Sequence, residues 1–288
     1  MANRQWPTTT MSCPICDGTG WKAVDVDGVS RMVRCDCWRE SLATQLLADA
    51  RIPPRYKKCD LETFHDYNGS LNEAVRRARR FVESFPAIDK GLFFLGRPGV
   101  GKTHLAVAIL KRAIREKGAR GLFYDTRELL KAIRSTYNPL VQMAEMDVLR
   151  PVMETDLLVL DDLGAEKTSE WVEETLNLIV NTRYNERRAT IFTSNYEIRD
   201  DLTDPDSLPV RVGYRMWSRL HEMCEFVRID GQDFRELGPN WTPEDLVRLE
   251  KRGDAVPGRT LPTKTKGPAR AQLRDRADLK WSGGKAGR

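Results

Sequence analysis

Eight residues constrain this chain more than any others: Gly96-Arg97-Pro98-Gly99-Val100-Gly101-Lys102-Thr103. They fit the spacing G-x-x-x-x-G-K-[S/T]. The apolar run 91–96, GLFFLG, precedes them, and the helical pattern THLAVAILKRAIREKG over 103–118 follows. That strand–loop–helix context gives the spacing its meaning. Gly99 and Gly101 let the backbone curl so that successive N–H groups point inward, which makes a cradle for anionic oxygens. The positive end of the next helix faces the same oxygens. Lys102 is placed to reach β- and γ-phosphates, and the Thr103 hydroxyl to bind Mg²⁺.

Downstream, strand-like and helix-like stretches alternate. The spacing predicts strands over 121–125, 156–162, 189–195 and 225–230 and helices in between, with Thr126 capping the helix that begins RELLKAIRSTY. Alternation of this kind implies a parallel sheet with helices on both faces. The strand DLLVLDD ends in Asp161 and Asp162. A carboxylate at a strand end can enter the Mg²⁺ shell, here Asp161. Asp162 is placed to orient or deprotonate a water, or else to cap the following turn. Asn195 closes the next strand, where an amide can feel the γ-phosphate or the water. The helix GYRMWSRLHEM carries Arg215 and Arg219 four residues apart, on one face and with no carboxylate between them.

The phosphate loop, LLVLDDLG, FTSN and YRMWSRL, in that order, resemble the AAA+ ATPases of the DnaC/IstB type over about residues 50–235. That group includes helicase loaders and transposition helpers. The resemblance implies an AAA+ P-loop core. It implies Asp161 as Walker B metal ligand, Asp162 as the catalytic acid position, Asn195 as sensor 1 and Arg219 as an arginine finger aimed at a neighbouring subunit's ATP. The expected nucleotide contacts are Gly96, Pro98, Gly99, Val100, Gly101, Lys102, Thr103, His104 and Asp161. The expected catalytic set is Lys102, Asp162, Asn195 and Arg219. His104 lines the helix start and receives no catalytic role. Many AAA+ proteins carry a helical lid with a further arginine, and no such lid is legible after the segment EFVRIDGQDFRE.

Four of the six cysteines fall in the first forty residues, as Cys13-x2-Cys16 and Cys35-x-Cys37. Two close thiol pairs suit tetrahedral Zn²⁺, with reduced free thiols or a redox pair as the alternative. Some helicase loaders join a zinc-binding N-terminal domain to the ATPase, a layout this one resembles, and the module then serves as a docking head. Cys59 and Cys224 have no partner at metal spacing.

The chain has 288 residues and a net charge of +5. Residues 256–288 hold nine Lys or Arg and two acids, so the basic excess belongs to this stretch. No signal peptide or membrane-spanning run is visible, which predicts a cytoplasmic protein. The expected organisation is a zinc-binding module (1–40), a helical connector (41–85), the AAA+ core (86–235) and a basic, largely disordered tail (236–288). Nucleic-acid candidates are the basic face of VRRARRF (75–81), the segment 135–152 with Tyr137, and the tail. The expected function is an ATP-dependent helicase loader. It binds ATP, Mg²⁺ and Zn²⁺ and oligomerises with ATP. Its partners are a replicative hexameric helicase and single-stranded DNA. The alternatives are an IstB-type transposition helper on duplex DNA and an ATP-switched adaptor with little turnover.

Overall fold

A computed structural model describes residues 13–138, 144–199, 201 and 203–237, together with 242, 244–246 and 248. The expected basic tail from Val256 lies outside the described residues, as do positions 139–143 of the segment around Tyr137.

The centre is a five-stranded parallel sheet, as the alternating pattern predicted. A small hairpin precedes it, formed by β1 (Trp21–Val26) and β2 (Val29–Arg34). The sheet strands are β3 (Gly91–Leu95), β4 (Gly121–Asp125), β5 (Leu157–Asp161), β6 (Ala189–Ser194) and β7 (Cys224–Arg228). Their spatial order is β4-β5-β6-β3-β7. Both faces are covered, which explains why the strands read as continuous apolar runs. Side chains alternate between the two layers. Leu92, Phe94, Leu157, Val159 and Ile191 face α1 (Asp36–Asp49), α2 (Gly69–Ser84) and α3 (Lys102–Lys117). Phe93, Leu95, Leu158, Leu160 and Phe192 face the other layer, made of α4 (Thr126–Ser135), α5 (Glu145–Glu154), α6 (Glu170–Asn185), α7 (Leu208–Val212) and α8 (Tyr214–Met223).

α1 runs through the expected boundary between residues 40 and 41. Its first turn carries Cys37, and at its far end Leu46, Leu47 and Ala50 join the core beside α3. α2 buries Leu71, Ala74, Val75, Ala78, Phe81 and Val82 at helical spacing in the same core. On its outer face Arg76 and Arg77 pair with Glu73, whereas Arg79 and Arg80 are exposed and have no ion pair among the described residues.

One expected cap is corrected. Asp125, not Thr126, caps α4: its carboxylate accepts from the N–H groups of Arg127 and Glu128. Thr126 is fully buried as the first helical residue, and its hydroxyl donates across the sheet to the Asp161 carbonyl at 2.9 Å. Both side chains can cap. The buried carbonyl of the neighbouring strand claims the threonine and leaves the aspartate for the helix.

Candidate functional site

The strand order decides what meets at the carboxyl edge of the sheet. β6 lies between β3 and β5, so the residue after β6 stands between the loop after β3 and the carboxylates ending β5. This edge is where ligands sit in open parallel sheets. A cavity of about 660 Å³ opens there, a size that suits a nucleotide.

The phosphate loop is shaped by its glycines. Gly101 has φ 101° and Gly99 has φ 81°, both in the left-handed region. A Cβ on Gly101 would lie 2.6 Å from Phe64 Cε2, and one on Gly99 would lie 1.7 Å from Asp233 Oδ1. The backbone therefore passes closer to its neighbours than any side chain permits. α3 starts at Lys102, directly out of the loop.

Lys102 is buried. Its Nζ donates to the carbonyls of Gly96 (2.8 Å) and Arg97 (2.7 Å) and to Asn195 Oδ1 (2.6 Å). Burial pulls the ammonium down to about 8, against the upward pull of Asp162 and Asp161. Thr103 Oγ1 donates to Asp161 Oδ1 at 2.8 Å. Burial pushes Asp161 up to about 6, although hydroxyls from Thr193 and Thr103 oppose the shift. Asp162 has φ 60°, and its Oδ1 accepts from Asn195 Nδ2. Asn195 thus bridges Lys102 to Asp162 with its two amide atoms.

Of the residues expected to contact nucleotide, Pro98, Gly99, Val100, Gly101, Lys102, Thr103, His104 and Asp161 line the cavity, as do Asp162 and Asn195. Gly96 sits one step behind the loop and offers its carbonyl to Lys102. The Nε2 of His104 lies 2.8 Å from the Asp60 carbonyl and its ring is edge-on to Phe64. Burial lowers its pKa.

Arg215 and Arg219 stand apart. α8 buries Met216 and Leu220, which turns the two arginines to another face. Neither lines the cavity of its own chain, and neither has an ion pair among the described residues. Among the described residues, the one hydrogen bond Arg219 donates is to the Arg215 carbonyl, at 3.0 Å.

Several lining residues carry no motif signal. The segment before α2 supplies Phe64, His65 and Tyr67, and the chain after β7 supplies Gln232, Phe234 and Arg235. The Phe234 ring is stacked with His65, with centroids 6.2 Å apart and planes at 3°. The Phe234 N–H donates to the Gly99 carbonyl at 3.1 Å, so the chain after β7 crosses the phosphate loop. Arg127, at the start of α4, also faces the cavity.

A second site lies in the hairpin module. The sulfurs of Cys13, Cys16, Cys35 and Cys37 all fall within 4.8 Å of one another. Cys35 immediately precedes α1 and Cys37 is in its first turn, while Cys13 and Cys16 flank a tight turn. Four convergent thiols of this kind fit a tetrahedral zinc site. Arg34, beside Cys35, packs between the Trp21 and Trp38 rings, 3.9 and 4.6 Å from their centroids. Among the described residues no helix is long and apolar enough to cross a membrane.

The family described as IstB-like ATP binding protein matches residues 45–237, so the four clustered cysteines lie outside the match. The replicative helicase loader DnaC of Escherichia coli K12 is 27% identical over 187 residues, covering 64% of this chain and 75% of that protein. An uncharacterised Bacillus subtilis protein, YqaM, is 25% identical over 202 residues, covering 66% and 60%. Among solved structures, the DnaC helicase loader superposes with a TM-score of 0.56 at 38% identity, covering 62% of this chain and all of that one. The AMPPCP-bound DnaA of Aquifex aeolicus has a TM-score of 0.53 at 19% identity over 70% and 61%, a likeness of fold.

Proposed function

Since the chain belongs to the IstB-like ATP-binding family, we propose that it is an ATP-hydrolysing helicase loader that acts through its cysteine module and single-stranded DNA. The observation that carries the reading is the convergence of Lys102, Thr103, Asp161, Asp162 and Asn195 on one cavity, with Arg215 and Arg219 held outside it. The DnaC loaders among its relatives supply the replication context.

In this reading Lys102 turns from the Gly96 and Arg97 carbonyls to the β- and γ-phosphates. The loop N–H groups of 99–103 hold the same oxygens. The Thr103 hydroxyl and the Asp161 carboxylate are hard oxygen donors of the kind Mg²⁺ takes, and would hold it. Bound there, Mg²⁺ neutralises charge on the phosphate oxygens. Asp162 accepts the proton of the attacking water, and Asn195 keeps that carboxylate in register with Lys102. Arg219 reaches the nucleotide of a neighbouring subunit, so turnover requires assembly. A cation supplied this way is worth about three to five orders of magnitude in rate. Cys13, Cys16, Cys35 and Cys37 would hold Zn²⁺ as a structural ion, and the hairpin then serves as docking head for the replicative helicase.

The test is co-elution of the full chain with the hexameric helicase of the same source under Mg-ATP, with phosphate release measured alongside. A stable complex, and turnover that rises with single-stranded DNA and disappears in Arg219→Ala, support the loader. ATP-dependent assembly on duplex DNA without helicase binding would instead favour the transposition-helper reading, which the family description itself keeps in view. Turnover that neither DNA nor helicase stimulates, and that Arg219→Ala leaves unchanged, would favour an adaptor.

A further inference from the structure

A guanidinium outside the cavity ties the arginine helix to the strand ends on which the site is built. Arg211 lies on α7 and donates from all three nitrogens to backbone carbonyls: Nε to Gly164, Nη2 to Glu166 at 2.8 Å and Nη1 to Pro205 at 3.3 Å. Its Cζ stands 4.2 Å from the centroid of the Tyr196 ring. Gly164 and Glu166 belong to the loop that follows β5, and Tyr196 directly follows Asn195. The loop and Tyr196 have their own attachments to β6. The Leu163 N–H donates to the Thr193 carbonyl at 2.8 Å, Ser194 Oγ donates to the Leu163 carbonyl at 2.7 Å, and the Tyr196 N–H donates to Ser194 Oγ at 3.2 Å. They are the fixed side of the contact, and α7 is the side that Arg211 fixes. The start of α7 is tied through the Leu208 N–H to the Glu197 carbonyl at 2.9 Å. Its last turn is tied by Arg211, and Gly213 alone then separates it from α8, which carries Arg215 and Arg219. Gly213 brings no side chain to cap α8, and the helix meets the core through Met216 and Leu220. Apolar burial is non-directional. It sets how deep α8 sits and leaves its slide and rotation to directed bonds at its start.

We infer that Arg211 is a positioning residue for the arginine helix, which sets Arg219 for delivery to a neighbouring subunit. The inference rests on the reading above in which Arg219 reaches that neighbour's nucleotide. Arg211 touches neither nucleotide and acts through α8. Its planar fork holds the helix entry in one orientation, which a point charge on a flexible stem cannot do. A misplacement of about 1 Å in a group that must meet a reacting centre costs on the order of a hundredfold in rate. The anchor is the loop behind this chain's own acids, so the arginine lent to the next subunit takes its position from the lender's strand ends. The loss of Arg211 is therefore felt in the neighbour's turnover and not in its own.

The experiment mixes full-length chains and measures ATP-dependent phosphate release with single-stranded DNA and helicase present. Arg219→Ala keeps its own site and lends no arginine. Asp162→Asn keeps its arginine and loses its own turnover. Each alone is expected to be inactive, and the mixture to turn over, because the second chain supplies what the first lacks. Arg211→Met is then added to one chain or the other. In the arginine-lending chain it lowers the turnover of the mixture about tenfold or more. In the Arg219→Ala chain it leaves turnover within about twofold, which also shows that the variant folds and assembles. Arg211→Lys, which keeps the charge without the fork, lowers turnover in the lending chain by less. Unchanged turnover with Arg211→Met in the lending chain, or an equal loss in both roles, overturns this inference alone. A parent mixture that stays inactive while the wild type turns over overturns it together with the reading of Arg219.

Discussion

Thr193 Oγ1 donates a 2.6 Å hydrogen bond to Asp161 Oδ1 and accepts one of 2.9 Å from the Asp162 N–H. A single hydroxyl on β6 thereby ties the Asp161 carboxylate, at the end of β5, to the backbone of Asp162 just beyond it. Thr193 is fully buried, so its partners have no water to turn to. Thr193→Val keeps the shape and removes the hydroxyl. The expected loss is about 1–3 kcal/mol of folding stability, read from denaturant titration, with weaker Mg-ATP binding. Unchanged stability and binding would show that the hydroxyl is dispensable.

Glu166 gives a pH-dependent expectation. It is 7% exposed, and its Oε2 has no hydrogen-bond partner among the described residues. Burial raises its pKa above the ordinary 4.5, against backbone N–H groups and Arg211. A carboxyl whose folded value is raised holds its proton longer in the folded state than in the unfolded one. Its stabilising contribution is then complete at low pH and lost as pH rises through the folded value. Glu166→Gln has no such loss. The melting temperature of the variant, compared with wild type, should gain as pH rises through the range in which the raised carboxyl ionises. Parallel melting curves across that range would reject the account.

Arg183 is the largest fully buried side chain among the described residues, and no carboxylate pairs with it. Its guanidinium donates to the carbonyls of Val152, Met153, Thr155 and Ala189 and to Thr190 Oγ1. It thus closes the C-terminal end of α5 onto β6, where a cation also meets the negative end of the helix. Burial lowers its pKa to about 9. Arg183→Met should cost about 3 kcal/mol, because several carbonyls lose their donor together. Arg183→Lys should fail to restore it, since an ammonium lacks the planar fork. Thermal denaturation of both variants checks the pair.

The cysteine cluster predicts about one zinc ion per chain by elemental analysis, falling toward none in Cys13→Ser. The variant should also lose protease resistance in residues 13–40 while the sheet keeps its melting behaviour. A folded, metal-free wild-type hairpin would leave reduced thiols as the better account.

What the sequence disclosed about this site follows the chemistry. The phosphate loop is contiguous because one stretch of backbone must supply the N–H groups, so Gly99, Gly101, Lys102 and Thr103 could be read directly. Asp161 and Asn195 were legible because each ends an apolar strand. That Asn195 touches both Lys102 and Asp162 was not, because it depends on β6 entering between β3 and β5, and strand order leaves no local trace. Thr193, Arg211 and Phe234 were hidden for the same reason. Each acts on a residue brought near by topology alone, and each sits in a segment whose own pattern is ordinary. The misassigned cap at Thr126 shows the converse: two adjacent side chains had equal local competence, and a carbonyl one strand away decided between them.

The crossing of Phe234 over Gly99 gives the chain after β7 a mechanical standing. Leu237 is three residues from a hydrogen bond to the nucleotide cradle, and Asp233 is wedged against the same glycine. Tension applied to the polypeptide beyond that point is delivered to the loop before it reaches the sheet. Residues 233–237 are therefore a strut braced on the phosphate loop, and not a free end that merely leaves the sheet.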